Sequence, residues 1–270
     1  MNNFNFNFHE SFPPQTNYLA EILKLAKEKF SGTKEEISNI TGIPTGNSSG
    51  KVVPHIKYLK YMDLINYNEK LSVFSLELTN IGEVVFNNDP YIMENLTKTL
   101  MHYNLTKKTG ALQWNYVFRE YEYTLDSEVS LKEINKKGEF ISNKDIKIGP
   151  LKTMYSIGDF ESLDLIDISK DNIIFNEKYD SYEFNNLYGY TLLKEWENSL
   201  TDKNEITIDE VFDVMKWNKG LGFGYDTTIE ILDELASTGI IKLNKQFNPI
   251  TIIKNSNSEN LVSGLYENLI

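Results

Sequence analysis

The apolar positions in the first third of the chain are spaced as in helices over three segments and then as in strands. Spacings of three and four residues predict helices over about 17–30, from Thr33 to Ile40, and over about 50–62. Two apolar runs around a polar turn then predict a β-hairpin over 64–79. Two helices, a turn, a third helix and a hairpin form the order of a winged helix-turn-helix, in which the third helix reads DNA.

The same order of elements returns at the end of the chain. Helical spacing predicts helices over 187–200, from Thr207 onward and over 226–237, and a second hairpin follows over 240–254. Between the two regions, residues 89–185 show helical spacing with a later β element. The sequence therefore contains one pattern of elements twice, separated by a mixed segment.

These patterns predict an α+β, mostly helical fold with winged helix-turn-helix modules at both ends and a helical middle region. The expected domains are an N-terminal winged-helix-like domain with an extended arm over 1–86, a helical middle domain with a β-hairpin over 87–185, and an acidic winged-helix-like domain over 186–270. The arm is the alternating apolar and polar segment that opens the chain, and Pro13 and Pro14 interrupt it.

Charge is divided unevenly along the chain, which has 27 basic and 39 acidic residues and a net charge of −12. Residues 1–110 contain 11 lysines and 11 carboxylates and are neutral, so the remainder carries the whole excess. The first module could therefore face a phosphate backbone, because the local field decides binding. The third helix of the last module is acidic, which favours a protein partner or self-association there; its acids are Asp226, Glu230, Asp233 and Glu234.

Double-stranded DNA is the expected partner of the N-terminal domain, at the start and along the outer side of the third predicted helix. Serine hydroxyls, lysine ammonium groups and helix N-termini all bind phosphate oxygens. The predicted contacts are Ser48, Ser49, Lys51, His55, Tyr58 and Lys60. The alternative is that these side chains form an ordinary solvated helix face.

Composition and two glycine-rich segments argue against several classes of protein. The absence of cysteine excludes disulfides, thiol nucleophiles and zinc–thiolate sites. No membrane-length apolar segment and no signal-peptide pattern is present, so a cytoplasmic protein is expected. The turn from Gly46 to Lys51 lacks the spacing of a phosphate-binding loop, and Gly220 to Gly224 follows a predicted helix, whereas a dinucleotide turn follows a strand. No cofactor is predicted.

The three histidines and the neighbouring acids are the candidates for chemistry. His9 and Glu10 are adjacent in an extended arm, so their side chains point to opposite faces and cannot form a relay with Ser11. A metal site built from His9, His102 and Asp89, or an enzyme working through His9, Glu10 and His102, remains an alternative to a non-enzymatic role.

Arg119 is the only arginine, and it lies in an aromatic segment from Trp114 to Tyr123. A guanidinium group binds carboxylates and phosphates with two hydrogen bonds, but an ion pair with Glu120 or Glu122 is the simpler expectation. The aromatic residues indicate a packed core more than a surface on which bases stack.

A set of short motifs in a fixed order resembles the bacterial "domain of unknown function four thousand and seven" family. The set begins with His9-Glu10-Ser11-Phe12-Pro13 and continues with Leu78-Thr79-Asn80-Ile81-Gly82, Asp89-Pro90-Tyr91, a leucine–histidine helix around His102, and the aromatic segment containing Trp114 and Arg119. The resemblance covers about 8–125. Two departures are Phe8, where the family usually has glycine, and Pro14-Gln15, where an arginine often follows.

The resemblance implies a DNA-associated role without an established activity. Genes of this family resemble those encoded beside PAPS-reductase-like proteins in phage-defence and DNA-sulfur-modification islands, which is an association and not a mechanism. The resulting hypothesis is a non-enzymatic DNA-binding or adaptor component of such a system. The alternative is a protein-interaction subunit that docks a sulfurtransferase-like or ATPase partner without touching DNA.

Overall fold

The computed structural model describes residues 8–46, 50–142, 146–179, 181–246 and 248–269, with the backbone alone for 140–142. By contacts, the chain divides into two compact units. The first contains residues up to Tyr123 together with Ser127–Ile174, and the second contains Thr124–Asp126 and everything from Phe175 onward. The division into three domains stays a prediction.

Helices account for about half of the residues, and the strands are short and antiparallel, so the α+β class is confirmed. The helices are α1 (Thr16–Lys27), α2 (Lys34–Thr41), α3 (Val52–Tyr61), α4 (Asn80–Asn88), α5 (Asn95–Thr106), α6 (Leu112–Asn115), α7 (Leu131–Ser142), α8 (Gly149–Ser156), α9 (Asn185–Ser199), α10 (Trp217–Leu221), α11 (Tyr225–Ser237) and α12 (Glu259–Val262). The strands are β1 (Ser31–Thr33), β2 (Ile65–Lys70), β3 (Val73–Leu78), β4 (Glu128–Ser130), β5 (Ile166–Ser169), β6 (Asn172–Phe175), β7 (Glu205–Thr207), β8 (Ile241–Asn244) and β9 (Thr251–Lys254). None of the helices in the described part is long and apolar enough to cross a membrane.

The strands form three separate three-stranded sheets, which share one topology. Their strand orders are β1-β3-β2, β4-β6-β5 and β7-β9-β8. In each sheet a short first strand precedes two or three helical segments, and a hairpin then returns so that its second strand pairs with the first strand. The sequence pattern predicted the helices and the hairpin of this arrangement at the two ends of the chain, without the short first strand. The structure adds a third example in the middle region, where helices and a hairpin were predicted but not this order of pairing.

Each first strand ends at the same local pattern, a serine or threonine followed three residues later by glutamate. Thr33 and Glu36 form a complete capping box, with the Glu36 N–H donating to Thr33 Oγ1 (3.2 Å) and the Thr33 N–H donating to Glu36 Oε2 (2.7 Å). Thr207 and Glu210 make the same two bonds, at 3.3 and 2.9 Å. Ser130 and Glu133 occupy this place in the middle region. The pattern sets where the first helical segment after each strand begins.

A buried aliphatic residue follows the glutamate in all three regions and anchors the helical segment to the core. Ile37, Ile134 and Val211 are each 0 % exposed. An apolar side chain at this depth contributes about 1.5–3 kcal/mol relative to an exposed one. The three regions therefore repeat in the Ser/Thr and Glu positions of the sequence, in the buried core position and in strand order.

One predicted helix starts later than its spacing suggests. Helical spacing was predicted from residue 89 onward, whereas α5 begins at Asn95. Ile92 is fully buried and has a φ of +57°, a left-handed conformation that breaks helical hydrogen bonding. The position of Ile92 fits the spacing of apolar residues in a helix, but its side chain reaches the core from a turn.

Candidate nucleic-acid interface

An arm formed by residues 8–15 packs along α3 in the first unit. The backbone N–H of Gln15 donates to Nε2 of His55 (3.1 Å), so Nδ1 of His55 carries the proton that it donates to the carbonyl of Lys51 (2.7 Å). The hydroxyl of Tyr58 donates to the carbonyl of Phe12 (2.9 Å). These bonds join α3 to a segment about forty residues earlier in the chain.

Lys51 closes the same contact at the N-terminal end of α3. Its Nζ donates to Oε1 of Gln15 (2.9 Å) and lies 5.6 and 5.4 Å from the ring centroids of Phe12 and Tyr18. A lysine held between two aromatic faces gains cation–π attraction. Lys51 is half-buried and engaged with the arm.

His55 and Tyr58 were expected on the outer side of α3, and this orientation is wrong. Both side chains are 0 % exposed because the arm covers the sector of the helix that they occupy. Burial lowers the pKa of His55 to about 4, so the imidazole is neutral at pH 7. These two residues fasten the arm and are not accessible to a phosphate.

Of the two lysines predicted as DNA contacts, Lys60 lies on the side of the module away from the arm, together with Lys57 and Lys70, which were not predicted. Lys60 is exposed and donates to Oδ1 of Asn66 (2.9 Å) at the start of the hairpin. Lys57 lies one helical turn before it and is half-buried, and Lys70 is exposed beside the hairpin tip, where Leu71 is 100 % exposed. Lys57 and Lys60 are three residues apart and alternate with the buried positions of α3, and this spacing indicates from sequence that both lie on the face away from the arm. Ser48 and Ser49 lie outside the described residues.

The His9-to-Phe12 motif forms a tight turn that buries His9. His9 is 0 % exposed, and its Nδ1 accepts from the backbone N–H of Ser11 (3.0 Å). The φ values of Glu10 and Ser11 are +49° and +75°, and the Phe12 N–H donates to the carbonyl of His9 (2.8 Å). Burial, assisted by the charge of Lys147, lowers the pKa of His9 to about 4. Because the turn reverses the chain, Glu10 is exposed while His9 points into the core.

The Asp89-Pro90-Tyr91 motif shapes the loop before α5. The buried Asp89 carboxylate accepts from the N–H groups of Met93 (2.8 Å) and Glu94 (3.0 Å) and from Oγ1 of Thr97 (2.6 Å). Tyr91 is left outside this arrangement and is 72 % exposed. The carboxylate is thus a positioning group for the backbone, and Tyr91 is the side chain that the loop presents.

The remaining motif residues lie in the aromatic core of the first unit. Trp114 Nε1 donates to the hydroxyl of Tyr155 (3.1 Å), which lies 2.7 Å from Nδ1 of His102. Arg119 is 2 % exposed, with Nε donating to Oγ1 of Thr106 (3.1 Å) and Cζ 5.1 Å from the ring centroid of Tyr103. The aromatic segment around Arg119 is therefore packed and does not present a surface for base stacking.

Metal ligands do not converge in the described part of the chain. No group of three or more His, Asp or Glu side chains is placed there to hold an ion, so the candidate set of His9, His102 and Asp89 does not form a metal site. His9 and His102 instead make hydrogen bonds to Ser11 and Tyr155.

Two solved structures are similar to this chain over nearly its whole length. The first, described as the SspB crystal structure, has a TM-score of 0.79 and 13 % sequence identity and covers 97 % of this chain and 88 % of that one. The second, described as magnesium ion-bound SspB, has a TM-score of 0.78 with the same identity and coverage. At this identity the likeness shows a shared fold.

Sequence comparison identifies the family without adding an activity. No functionally curated protein matches the chain. The profile of the family described as "Protein of unknown function (DUF4007)" matches residues 6–152, more than half of the chain. That range includes the His9 turn, the Asp89 loop and the aromatic core. The chain therefore belongs to the DUF4007 family of proteins of unknown function.

Proposed function

We propose that this protein is a non-enzymatic DNA-binding or adaptor component of a bacterial phage-defence or DNA-modification system. In this proposal the first module is a winged helix that contacts duplex DNA through α3 and the β2–β3 hairpin. The order α1-β1-α2-α3-β2-β3 with the strand order β1-β3-β2 supports the assignment, since it provides a third helix followed by a wing. The fold shared with SspB and the family membership agree with such a role.

The observation that carries the proposal is the set of lysines on the side of the module away from the arm. Lys57 and Lys60 lie on α3 and Lys70 lies on the hairpin. Glu69, also exposed on the hairpin, reduces the positive charge at the wing, whereas Asp63 is neutralised by Lys107 at 3.4 Å. Lysines that bind phosphates release counterions from DNA, which gives binding a steep salt dependence.

A titration with a labelled duplex over about 50–200 mM salt tests this contact. Each phosphate contact contributes about 0.9 to the slope of log K against log salt, so Lys57→Ala/Lys60→Ala is expected to flatten the slope by about two units. The matched control is Lys203→Ala/Lys245→Ala, which removes two exposed lysines of the second unit and should leave the slope unchanged. No binding at about 50 mM salt, or equal slopes for both double variants, contradicts the proposal.

The acidic face of α11 supports a second candidate, a protein-interaction subunit. Asp226, Glu230 and Asp233 are exposed on this helix, and of these Asp233 pairs with Lys245 at 2.6 Å. An acidic helix repels DNA and suits a basic protein surface. Co-purification with a sulfurtransferase-like or ATPase partner that survives nuclease treatment, and is lost in Asp226→Lys/Glu230→Lys, would favour this function.

A further inference from the structure

The middle region has the topology of the first module but was not recognised as such from sequence. Strand β4, helices α7 and α8 and the hairpin β5–β6 follow in the order of β1, α2, α3 and β2–β3, and β4 pairs with β6 as β1 pairs with β3. Tyr116 lies in the helical segment that precedes this region, and its hydroxyl donates to the carbonyl of Ile134 in α7 (2.8 Å). This hydrogen bond packs the preceding segment against the region. Helix α8 therefore occupies the place that α3 occupies in the first module.

The charge of α8 resembles that of α3 and is opposite to that of α11. The stretch 146–156 contains Lys147 and Lys152 and no acid, whereas α11 contains four acids and no base. Lys147 is exposed and Lys152 is half-buried. Helices α3, α8 and α11 each precede the hairpin of their region, and of these three only α3 and α8 are compatible with a polyanion.

A cavity of about 590 Å³ opens at the start of α8. The polar side chains that line it are Ser11, Asn135, Lys147, Lys152 and Thr153. The lining residues in the described part of the chain include no aspartate and no glutamate, and no aromatic residue. Among its described lining residues, the cavity thus offers two cations and two hydroxyls and no acid.

The backbone at the cavity adds to its preference for an anion. Ile148 precedes α8 without a side-chain cap, so the positive end of the helix dipole faces the cavity uncompensated by a cap. A side chain at Gly149 would meet nothing within 4 Å, which indicates open space at the first turn. The amide oxygen of Asn135 is buried without a hydrogen-bond partner, and a half-turn of this amide would present N–H groups in its place.

The His9 turn explains how Ser11 reaches this cavity. His9 is buried, accepts from the Ser11 N–H, and lies close enough to Lys147 for the lysine to lower its pKa. The neutral imidazole holds the turn, and the turn places Ser11 at the cavity wall. The family's first motif and the middle module therefore meet at one site.

We propose that this cavity binds a phosphoryl group of the DNA backbone, which makes the middle module a second DNA contact beside α3. The inference rests on the proposed DNA-binding function and names a further site for it. Two lysines, two hydroxyls and a helix N-terminus match a phosphate. The absence of an aromatic side chain among the described lining residues favours a backbone phosphate over a free nucleotide, whose base would need a stacking partner.

The test compares two double variants in duplex titrations across salt. Lys147→Ala/Lys152→Ala is expected to flatten the salt slope by about two units and to weaken binding at least tenfold at about 100 mM salt. The matched control, Lys132→Ala/Lys136→Ala, removes two exposed lysines of α7 that do not line the cavity and should change the slope by less than half as much. Ser11→Asp, which places a negative charge at the cavity wall, should weaken binding in the same direction.

Two further ligands distinguish a phosphate of the DNA backbone from a free phosphate or nucleotide. The double variants then distinguish this inference from the proposed function. Inorganic phosphate and a mononucleotide, titrated calorimetrically, are expected to bind far more weakly than the duplex. Mononucleotide binding that is lost in Lys147→Ala/Lys152→Ala, without duplex binding, overturns the assignment to DNA. A duplex slope that responds to Lys57→Ala/Lys60→Ala but not to Lys147→Ala/Lys152→Ala overturns this inference alone and leaves the proposed function standing.

Discussion

Lowering the pH from 7 to 5 is expected to destabilise the first unit by about 4 kcal/mol. Two histidines cause this loss, and below pH 6.5 each of them lowers the free energy of unfolding by about 1.4 kcal/mol per pH unit. His9 and His55 are both 0 % exposed, and burial lowers the pKa of each from 6.5 to about 4. As the pH falls, the two histidines of the unfolded chain therefore take up their protons at a higher pH than those of the folded chain do. The stabilisation is complete above pH 6.5 and is lost progressively toward pH 4.

Hydrogen-exchange mass spectrometry on peptides from α3, in denaturant series at pH 7, 6 and 5, measures this effect for the first unit separately. Glu36 and Glu210 have pKa values below the usual 4.5 because of hydrogen bonds to Thr33 and to Lys203, and they titrate at a lower pH than this window. His55→Gln should lower stability at pH 7 and reduce the slope by about 1.4 kcal/mol per pH unit. Equal stability of the unvaried protein at pH 7 and pH 5 would contradict the neutral, buried state of both histidines.

Tyr58→Ala is expected to lower the free energy of unfolding of the first unit by about 3–5 kcal/mol, the range for deletion of a buried aromatic side chain. The Tyr58 ring lies 4.9 Å from Phe8 and 5.8 Å from Trp114, measured between ring centroids, and its hydroxyl holds the carbonyl of Phe12. Removal of the ring leaves a cavity between the arm and the core. Tyr58→Phe keeps the packing and should cost about 1 kcal/mol for the lost hydrogen bond.

Tyr91→Ala is the matched control, because this tyrosine is 72 % exposed and its truncation should change stability by less than about 0.5 kcal/mol. Denaturation curves of the three variants and the unvaried protein provide the comparison. If Tyr58→Ala kept full stability and lost DNA binding, the contact role first predicted for Tyr58 would be correct and the role in holding the arm would be wrong.

The periodic parts of the sequence predicted the elements near both ends of the chain. Helix α1, the helix that starts at Thr33 and the hairpin over 64–79 follow from local spacing and turn chemistry, and all three are present. The second hairpin, β8–β9, is present as well. These features depend on residues within a few positions of each other, and the spacing of apolar and polar residues reports on structure over that range.

Long-range contacts account for what the sequence did not reveal. The burial of His55 depends on Gln15, forty positions earlier, which supplies the N–H that a buried imidazole requires. Helix α8 and strand β4 were not predicted, and β4 has only three residues, too few for a periodic signal. Asp89 delays the start of α5 through bonds that an apolar stripe does not encode. The predicted outward orientation of His55 and Tyr58 was wrong for the same reason.

The common strand order also constrains the order of folding events. The first strand of each sheet pairs across a long stretch of chain, with Ser31 opposite Ser75, Glu128 opposite Ile174 and Glu205 opposite Ile253. Because closure entropy grows slowly with loop length, these three steps differ in cost by only about 0.1 kcal/mol. The hairpins close over a few residues and need no such loop. In each module the hairpin and helices are thus expected to form first, and the edge strand is the last element to gain protection from amide exchange.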